Sequence, residues 1–196
     1  MKTVILALAF VLAAPLAAHA QTYDIDPAHS HVGFDVKHMM ISTVHGRFNT
    51  FSGTATLDDA HPAKDKLEVS VDTASIDTDQ PKRDAHLKSA DFFDVAQFPK
   101  MTFVSKKVKS AGKGKLTVTG DLTLHGVTKS VVLHVTDLSK PMVGPDKKMH
   151  RGASATATIN RQDFGIKWNK SMGAKASDVM VGDEVKIIID VELVQK

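Results

Sequence analysis

Residues 115–135 read KLTVTGDLTLHGVTKSVVLHV, and this segment contains two runs in which apolar and polar residues alternate. The first run places leucine and valine on one face and threonine and aspartate on the other. The second run repeats the pattern with Val131, Leu133 and Val135. An alternation with a period of two is typical of a β-strand that is buried on one face only. His125-Gly126 lies between the runs, where a tight turn needs residues that tolerate a positive φ, so the segment predicts a β-hairpin.

The same alternation recurs along the chain and predicts eight strands in total. The predicted strands cover residues 32–36, 47–57, 67–71, 101–103, 116–124, 131–135, 153–159 and 185–193. Phe48 and Phe51 are out of phase with each other, which predicts a bulge or bend near Thr50. One segment favours a helix, with Asp79 as its cap, Pro81 in its first turn and residues 82–90 as its body.

Eight strands with one apolar face predict an all-β fold with one short helix. Closing them into an eight-stranded antiparallel β-barrel removes the exposed strand edges. A barrel of this size is either filled by its own side chains or holds one small ligand. The small residues Ala153, Ala155 and Ala157 favour an unfilled interior, whereas Phe34 and Phe103 are large enough to fill it. The sequence leaves these alternatives open.

The composition excludes several classes of protein. The 196 residues are 42% hydrophobic and 24% charged, which is typical of an ordinary globular chain rather than a disordered one. There is no cysteine, which excludes disulfide scaffolds, thiol enzymes and cysteine-ligated metal centres. A net charge of +3 is too small to indicate a nucleic-acid partner.

The N-terminus has the layout of a secretory signal peptide. Lys2 provides the positive start, residues 3–16 form an apolar segment, and Ala18-His19-Ala20 is a small-x-small cleavage site. Residues 1–20 are therefore predicted to be removed, leaving one domain over residues 21–196 and a periplasmic location. The alternative is a retained N-terminal anchor, for which the apolar segment is short.

The sequence offers little support for catalysis or metal binding. Arg83, Asp84 and His86 fall in the predicted helix, but helical residues two apart do not face each other, so a surface or barrel-capping role is favoured. There is no recognisable activated serine and no phosphate-binding loop, so no enzyme and no catalytic residue is predicted. His29 and His31 start a strand without acidic partners at a recognisable ligand spacing, and no metal site is predicted. Three phenylalanines around residues 92–98 predict either a pocket wall or ordinary core.

An ordered set of short motifs makes residues 23–194 similar to one known family. The motifs are Tyr23-x-Ile25-Asp26-x-x-His29-Ser30, Phe34-x-Val36-Lys37-His38, Gly46-Arg47-Phe48, Phe51-x-Gly53, Ala74-Ser75-Ile76-x-Thr78, Arg83-Asp84-x-His86-Leu87, Asp91-Phe92-Phe93-Asp94, Phe98-Pro99, Gly120-Asp121-Leu122-x-Leu124-His125-Gly126-Val127-Thr128-Lys129, Asn160-Arg161-x-Asp163-Phe164-Gly165 and Val181-Gly182-Asp183-x-Val185. In this order they resemble the YceI family of lipocalin-like, polyisoprenoid-binding envelope proteins.

The resemblance implies an extended, lipocalin-like eight-stranded barrel with an internal apolar tunnel. It implies an isoprenoid ligand, quinone-like or polyprenyl, or another long-chain amphiphile, with no separate cofactor. It also implies a link to b-type cytochromes, which points toward quinone handling. The residues implied as tunnel lining are Phe34, Val36, Phe48, Phe103, Ala155, Ala157 and Phe164. Those implied at a polar mouth for the head group are Arg83, Asp84 and His86.

Three hypotheses for function remain. The first is a periplasmic carrier that holds isoprenoid lipid inside the barrel. The second is a structural or adaptor protein of the envelope with a filled core, and the third is an isoprenoid-modifying enzyme on the same barrel. A carrier needs transient contact with a membrane, for which the apolar Met39-Met40-Ile41 loop tip is a candidate unless it packs against the barrel. The sequence leaves open whether the barrel forms a homodimer.

Overall fold

The computed structural model describes residues 20–173 and 179–196. Within these ranges it contains eleven strands and one α-helix. The strands are β1 (Gln21–His38), β2 (Ser42–Phe48), β3 (Phe51–Leu57), β4 (Lys66–Asp72), β5 (Ile76–Asp77), β6 (Lys100–Gly112), β7 (Lys115–Leu124), β8 (Val127–Thr136), β9 (Met142–Val143), β10 (Met149–Asn160) and β11 (Val181–Gln195), and the helix is α1 (Pro81–Lys88). The predicted signal peptide, apart from Ala20, lies outside the described residues.

Eight of the strands close into an antiparallel barrel. Their order is β11-β10-β8-β7-β6-β4-β3-β1, and β1 pairs again with β11 to complete the circle. The predicted eight-stranded barrel with one short helix is therefore confirmed. Two further two-residue strands, β5 and β9, extend the sheet at its margins, and the sequence analysis did not predict them.

The β7–β8 hairpin follows directly from its sequence. Leu124 pairs with Val127 across a two-residue turn, in which His125 has a φ of 51° and Gly126 a φ of 72°. Two successive positive φ values define the type of turn that matches the twist of the two strands. The strand β7 is buried at every second residue from Leu116 to Leu124, so the alternation in the sequence is the alternation between barrel interior and exterior.

The bend predicted near Thr50 is also confirmed. β2 pairs with the second half of β1, and β3 pairs with its first four residues, so both run along the same neighbour. The strand is broken between Phe48 and Phe51, because these two side chains are both buried and alternation alone would place them on opposite faces. The break allows each phenylalanine to join the core.

Helix α1 begins one residue later than its predicted cap implies. The cap is Gln80, whose Oε1 accepts from the backbone N–H groups of Lys82 at 2.7 Å and Arg83 at 3.3 Å. Asp79 has a φ of 58° and its carboxylate lies 3.2 Å from Arg47 instead. The prediction of Asp79 as the cap is thus wrong. Asp79 itself adopts a left-handed conformation, and the helix starts only after Gln80. In the described residues, no helix has the length and apolar character needed to cross a membrane.

The two ends of the barrel are different. At one end, called the helix end, β1, β4, β7 and β10 finish and the segment containing α1 covers the opening. At the other, called the loop end, residues 58–65 connect β3 to β4 across the rim. The buried apolar side chains form two clusters between these ends, one around Phe103 and Phe164 and one around Tyr23 and Phe48.

Candidate functional site

An apolar cavity of about 250 Å³ lies between the two clusters, inside the barrel. Its wall is built from the inward-facing residues of the barrel strands, together with side chains of α1 and the segment after it. Representative wall residues are Ile25, Val32, Val69, Val71, Met101, Val118, Leu133, Ala153, Ile187, Val191 and Leu193. A pocket lined in this way offers almost no hydrogen-bonding partners and suits a hydrocarbon ligand.

Five of the seven residues implied as tunnel lining lie on this wall. They are Phe34, Val36, Phe48, Phe103 and Ala155. Their contact with a lipid stays a prediction. Phe34 and Phe48 are themselves in contact, with ring centroids 5.8 Å apart, and both rings form part of the wall.

Ala157 and Phe164 are not on the cavity wall. Ala157 is 4% exposed and Phe164 is 2% exposed, and both belong to the same buried cluster. Phe164 lies in a short 3-10 helix, Arg161–Phe164, that follows β10 at the helix end. The two residues are therefore buried core rather than cavity lining, although Ile159 and Arg161 beside them do border the cavity.

Phe92 and Phe93, which the sequence predicted as either pocket wall or core, contribute to both. Each lines the cavity, as does Leu87 of α1. Phe92 is 6% exposed, and the Phe93 ring meets Phe48 edge to face at 5.7 Å. The helical segment therefore supplies part of the cavity wall at the helix end.

The three residues implied at a polar mouth have partners within the protein. Arg83 donates to the Oγ1 and the carbonyl oxygen of Thr78, at 2.7 and 2.6 Å. Asp84 accepts from the backbone N–H of Thr78 at 2.9 Å and from its hydroxyl at 2.5 Å. Thr78 is 4% exposed, so both side chains stabilise a buried residue at the start of the helical segment.

The third mouth residue, His86, packs against aromatic rings. Its Nε2 lies 2.8 Å from Asp91, and its ring meets Phe92 and Trp168 edge to face at 5.0 and 4.9 Å. None of Arg83, Asp84 and His86 is on the cavity wall, whereas the neighbouring Leu87 is. Their contact with a ligand head group stays a prediction.

Three charged residues that border the cavity were not predicted from the sequence: Asp65 and the exposed Lys66 at one end, and Arg161 at the other. Asp65 lies at the loop end, where its Oδ1 accepts from the backbone N–H of Asp58 at 2.7 Å. Burial raises the pKa of Asp65 to about 6. In the sequence Asp65 stands between Lys64 and Lys66 and looks like part of an exposed charged run.

Arg161 borders the cavity at the helix end. Its guanidinium donates to the carbonyl oxygens of Gly182, Ile166 and Trp168, at 3.0, 2.8 and 2.9 Å. It also lies 3.0 Å from the carboxylate of Asp183. Burial lowers the pKa of Arg161, and Asp183 opposes that shift. With its donors directed at the backbone, Arg161 fastens the 3-10 helix to the start of β11.

The Met39-Met40-Ile41 tip projects from the helix end rather than packing against the barrel. Ile41 is 80% exposed and Met40 is 54% exposed. Met39 and Met40 both have positive φ values, and the backbone N–H of Met39 donates to the carbonyl of Met180. The tip is therefore a fixed apolar projection beside one end of the cavity-bearing barrel.

Comparisons with known proteins agree with the barrel fold. A family model described as the YceI-like domain matches residues 23–193. A UPF0312 protein of Vibrio parahaemolyticus is 48% identical over 128 residues, covering 64% of this chain and 68% of that protein.

Two solved structures extend the comparison to the fold. The crystal structure of Burkholderia cenocepacia BcnA is similar with a TM-score of 0.74 and 28% identity, covering 86% of this chain and 98% of BcnA. A polyisoprenoid binding domain from Saccharophagus degradans has a TM-score of 0.64 at 15% identity, covering 91% of this chain and 100% of that domain. At that identity the second likeness concerns the fold alone.

Proposed function

This chain belongs to the family of YceI-like domains, and from that premise we propose that it binds an isoprenoid or similar long-chain lipid inside the barrel. The observation that carries the proposal is the internal cavity of about 250 Å³ with an apolar wall. The domain of Saccharophagus degradans with the same fold is described as polyisoprenoid binding, which supports the same ligand class. An unfilled interior gives no support to the alternative of an adaptor with a filled core.

The energetics of such a ligand favour carriage over permanent storage. Burial of one methylene contributes about 0.8 kcal/mol, so a forty-carbon tail would gain about 30 kcal/mol relative to water. This exceeds the roughly 18–21 kcal/mol at which non-covalent affinities saturate. The lipid, however, resides in a bilayer that is as apolar as the cavity. Extraction is then close to neutral, and the shape of the cavity supplies selectivity.

The proposal places the protein in the periplasm, where it exchanges lipid with a membrane. The residues that support membrane contact are the exposed Met40 and Ile41 at the helix end. Binding without chemistry is proposed, with no cofactor besides the lipid. A link to b-type cytochromes stays a prediction of the family resemblance, and the sequence predicts neither a monomer nor a homodimer.

Native mass spectrometry tests the proposal directly. The protein is purified without detergent from the periplasmic fraction of its expression host, and any ligand is extracted and identified. The expected result is one adduct per chain that extracts as a quinone or polyprenyl lipid. A bare protein mass that stays unchanged after incubation with isoprenoid lipids would contradict the proposal.

The same spectrum tests the periplasmic location. Cleavage after Ala20 predicts the protein mass of residues 21–196 and recovery of the protein in the osmotic-shock fraction. Recovery of the full 196-residue mass in the membrane fraction would instead indicate a retained anchor.

A further inference from the structure

The pairing of the first and last strands is interrupted by a pronounced bulge. Asp26 is opposite Glu192, and the next pair is His31 opposite Asp190. Five residue steps on β1 thus face two on β11, and residues 27–30 form the bulge within β1. The bulge is held by its own hydrogen bonds, since the backbone N–H of Ala28 donates to Asp26 and that of Glu192 donates to the hydroxyl of Ser30.

The bulge brings three ligand-type side chains together on the outside of the barrel. Ile25 and Leu193 are buried in the core, so their neighbours Asp26 and Glu192 face outward. His29 folds back over them, with its Nδ1 2.6 Å from the Oδ2 of Asp26. One nitrogen of His29 and one carboxylate oxygen each of Asp26 and Glu192 lie within 4.8 Å of one another.

A second histidine holds Glu192 in this position. The Nδ1 of His150 lies 2.7 Å from the Oε1 of Glu192, and its Nε2 lies 2.8 Å from Asp146. The His150 side chain is only 18% exposed. Carboxylates that bind metal ions are usually oriented by such a hydrogen bond from a neighbouring residue.

We propose that Asp26, His29 and Glu192 bind a divalent transition-metal ion across the seam between β1 and β11. An imidazole nitrogen with two carboxylate oxygens suits Zn²⁺ and its neighbours, whereas Mg²⁺ prefers oxygen ligands and water. Zn²⁺ bonds of about 2.0–2.2 Å bring adjacent ligand atoms to about 3.3–3.5 Å. Because the Nδ1 of His29 lies only 2.6 Å from the Oδ2 of Asp26, the imidazole, whose side chain is 68% exposed, must give up this hydrogen bond and move away from that oxygen to reach the spacing, and water completes the coordination.

Electrostatics favour a cation at this point. Asp26 and Glu192 carry like charges that face each other across the seam, and His29 and His150 are their respective imidazole partners.

This site could not be predicted from the sequence, because its ligands are far apart in the chain. Asp26 and His29 are three residues apart, but Glu192 belongs to the last strand. The convergence depends on the closure of the barrel and on the bulge, and neither the closing pair nor its register can be derived from the local pattern.

Isothermal titration of untagged, chelator-treated protein with ZnCl2 tests the proposal. The wild type is expected to bind one Zn²⁺ per chain and no Mg²⁺, with at least a tenfold weaker affinity in both His29→Ala and Glu192→Gln. The control is His45→Ala, which removes an exposed histidine that pairs with Asp35 elsewhere on the barrel and should leave the titration unchanged. Circular dichroism checks that each variant is folded.

A thermal melt provides the second measurement. Because the ion joins the first strand to the last, Zn²⁺ should raise the Tm of the wild type and of His45→Ala but not that of His29→Ala. The proposal is overturned if the wild type does not bind Zn²⁺, or if His29→Ala binds it as tightly and gains the same Tm. These outcomes are independent of lipid binding, so they separate this site from the cavity.

Discussion

At the scale of single residues, the raised pKa of Asp65 has a measurable consequence for stability. Its folded pKa of about 6 lies above the ordinary 3.8, so the ionised carboxylate destabilises the fold above pH 6. This penalty disappears as the pH falls from 6 toward 3.8. The difference between the two pKa values corresponds to a loss of at most about 3 kcal/mol in the free energy of unfolding. Partial exposure of Asp65 to solvent reduces this loss to about 1–2 kcal/mol.

Asp65→Asn is therefore expected to raise the free energy of unfolding by about 1–2 kcal/mol at pH 7.5, with little difference near pH 4. The asparagine Oδ1 can still accept from the backbone N–H of Asp58, so the geometry of the loop is kept. Urea unfolding of both proteins at pH 7.5 and pH 4 measures the difference. A variant that is less stable than the wild type at pH 7.5 would contradict the assignment.

Substitution of Asp84 shows whether this residue stabilises the fold or recognises the ligand. Asp84→Ala leaves the buried backbone N–H of Thr78 without its acceptor, which is expected to cost about 1–3 kcal/mol of unfolding free energy. Since Asp84 is directed at Thr78, the affinity for a fluorescent isoprenoid analogue should stay within twofold of the wild type. The head-group role implied by the family resemblance predicts instead a tenfold loss of affinity, measured by fluorescence titration.

The apolar residues of the cavity wall were easier to predict from the sequence than the charged residues at its ends. Phe34, Val36 and Ala155 follow from strand alternation, which decides which side chains face inward. Asp65 at the cavity, and Glu192 on the outside of the barrel, could not be predicted in this way, because a carboxylate in a charged or alternating run looks solvent-exposed until its distant neighbours are known. Burial of Asp65 is caused by the connection from β3 to β4, and the surroundings of Glu192 are set by β1 and β10.

At the scale of elements, the β7–β8 hairpin depends on Gly126. Gly126→Ala places a side chain at a φ of 72° and brings its Cβ to 2.6 Å from the ring of Phe98. The left-handed conformation costs about 1–2 kcal/mol for a residue with a side chain, and the contact adds to this. We expect the free energy of unfolding, measured with urea, to fall by about 1–3 kcal/mol.

Gly152→Ala is the matched control for Gly126→Ala. Gly152 lies within β10, and a Cβ there would approach nothing closer than 3.9 Å. This variant should be as stable as the wild type or slightly more stable, because alanine restricts the unfolded chain. If both variants lost the same free energy of unfolding, the left-handed conformation at Gly126 would not be the cause of the loss.

The elements themselves were predictable where they repeat a local pattern. Eight strands and the bend near Thr50 follow from alternation, and the hairpin turn follows from His125-Gly126. The two-residue strands β5 and β9 did not follow, since so short a segment has no period to detect. The shift of the helix cap from Asp79 to Gln80 depends on the backbone conformation of Asp79, which composition does not determine.

At the scale of the whole molecule, barrel closure followed from the cost of exposed strand edges, but the amount of empty space inside did not follow from any local rule. Ala155 and Ala157 lie two residues apart on β10, yet only Ala155 borders the cavity. Phe164, in the short 3-10 helix after β10, belongs to the same buried cluster as Ala157. Which small residues border empty space therefore depends on how segments distant in the chain pack against them.

Ala155→Phe shows whether the lipid occupies this internal cavity. The added ring projects into a space of about 250 Å³ and should reduce the lipid bound per chain at least tenfold in native mass spectrometry. The control is Thr156→Phe, which adds the same ring at the next residue on the exposed face of β10 and should bind as the wild type does. If folded Ala155→Phe binds as much lipid as the wild type, the ligand lies outside this cavity, and the proposal that the barrel interior holds the lipid is contradicted.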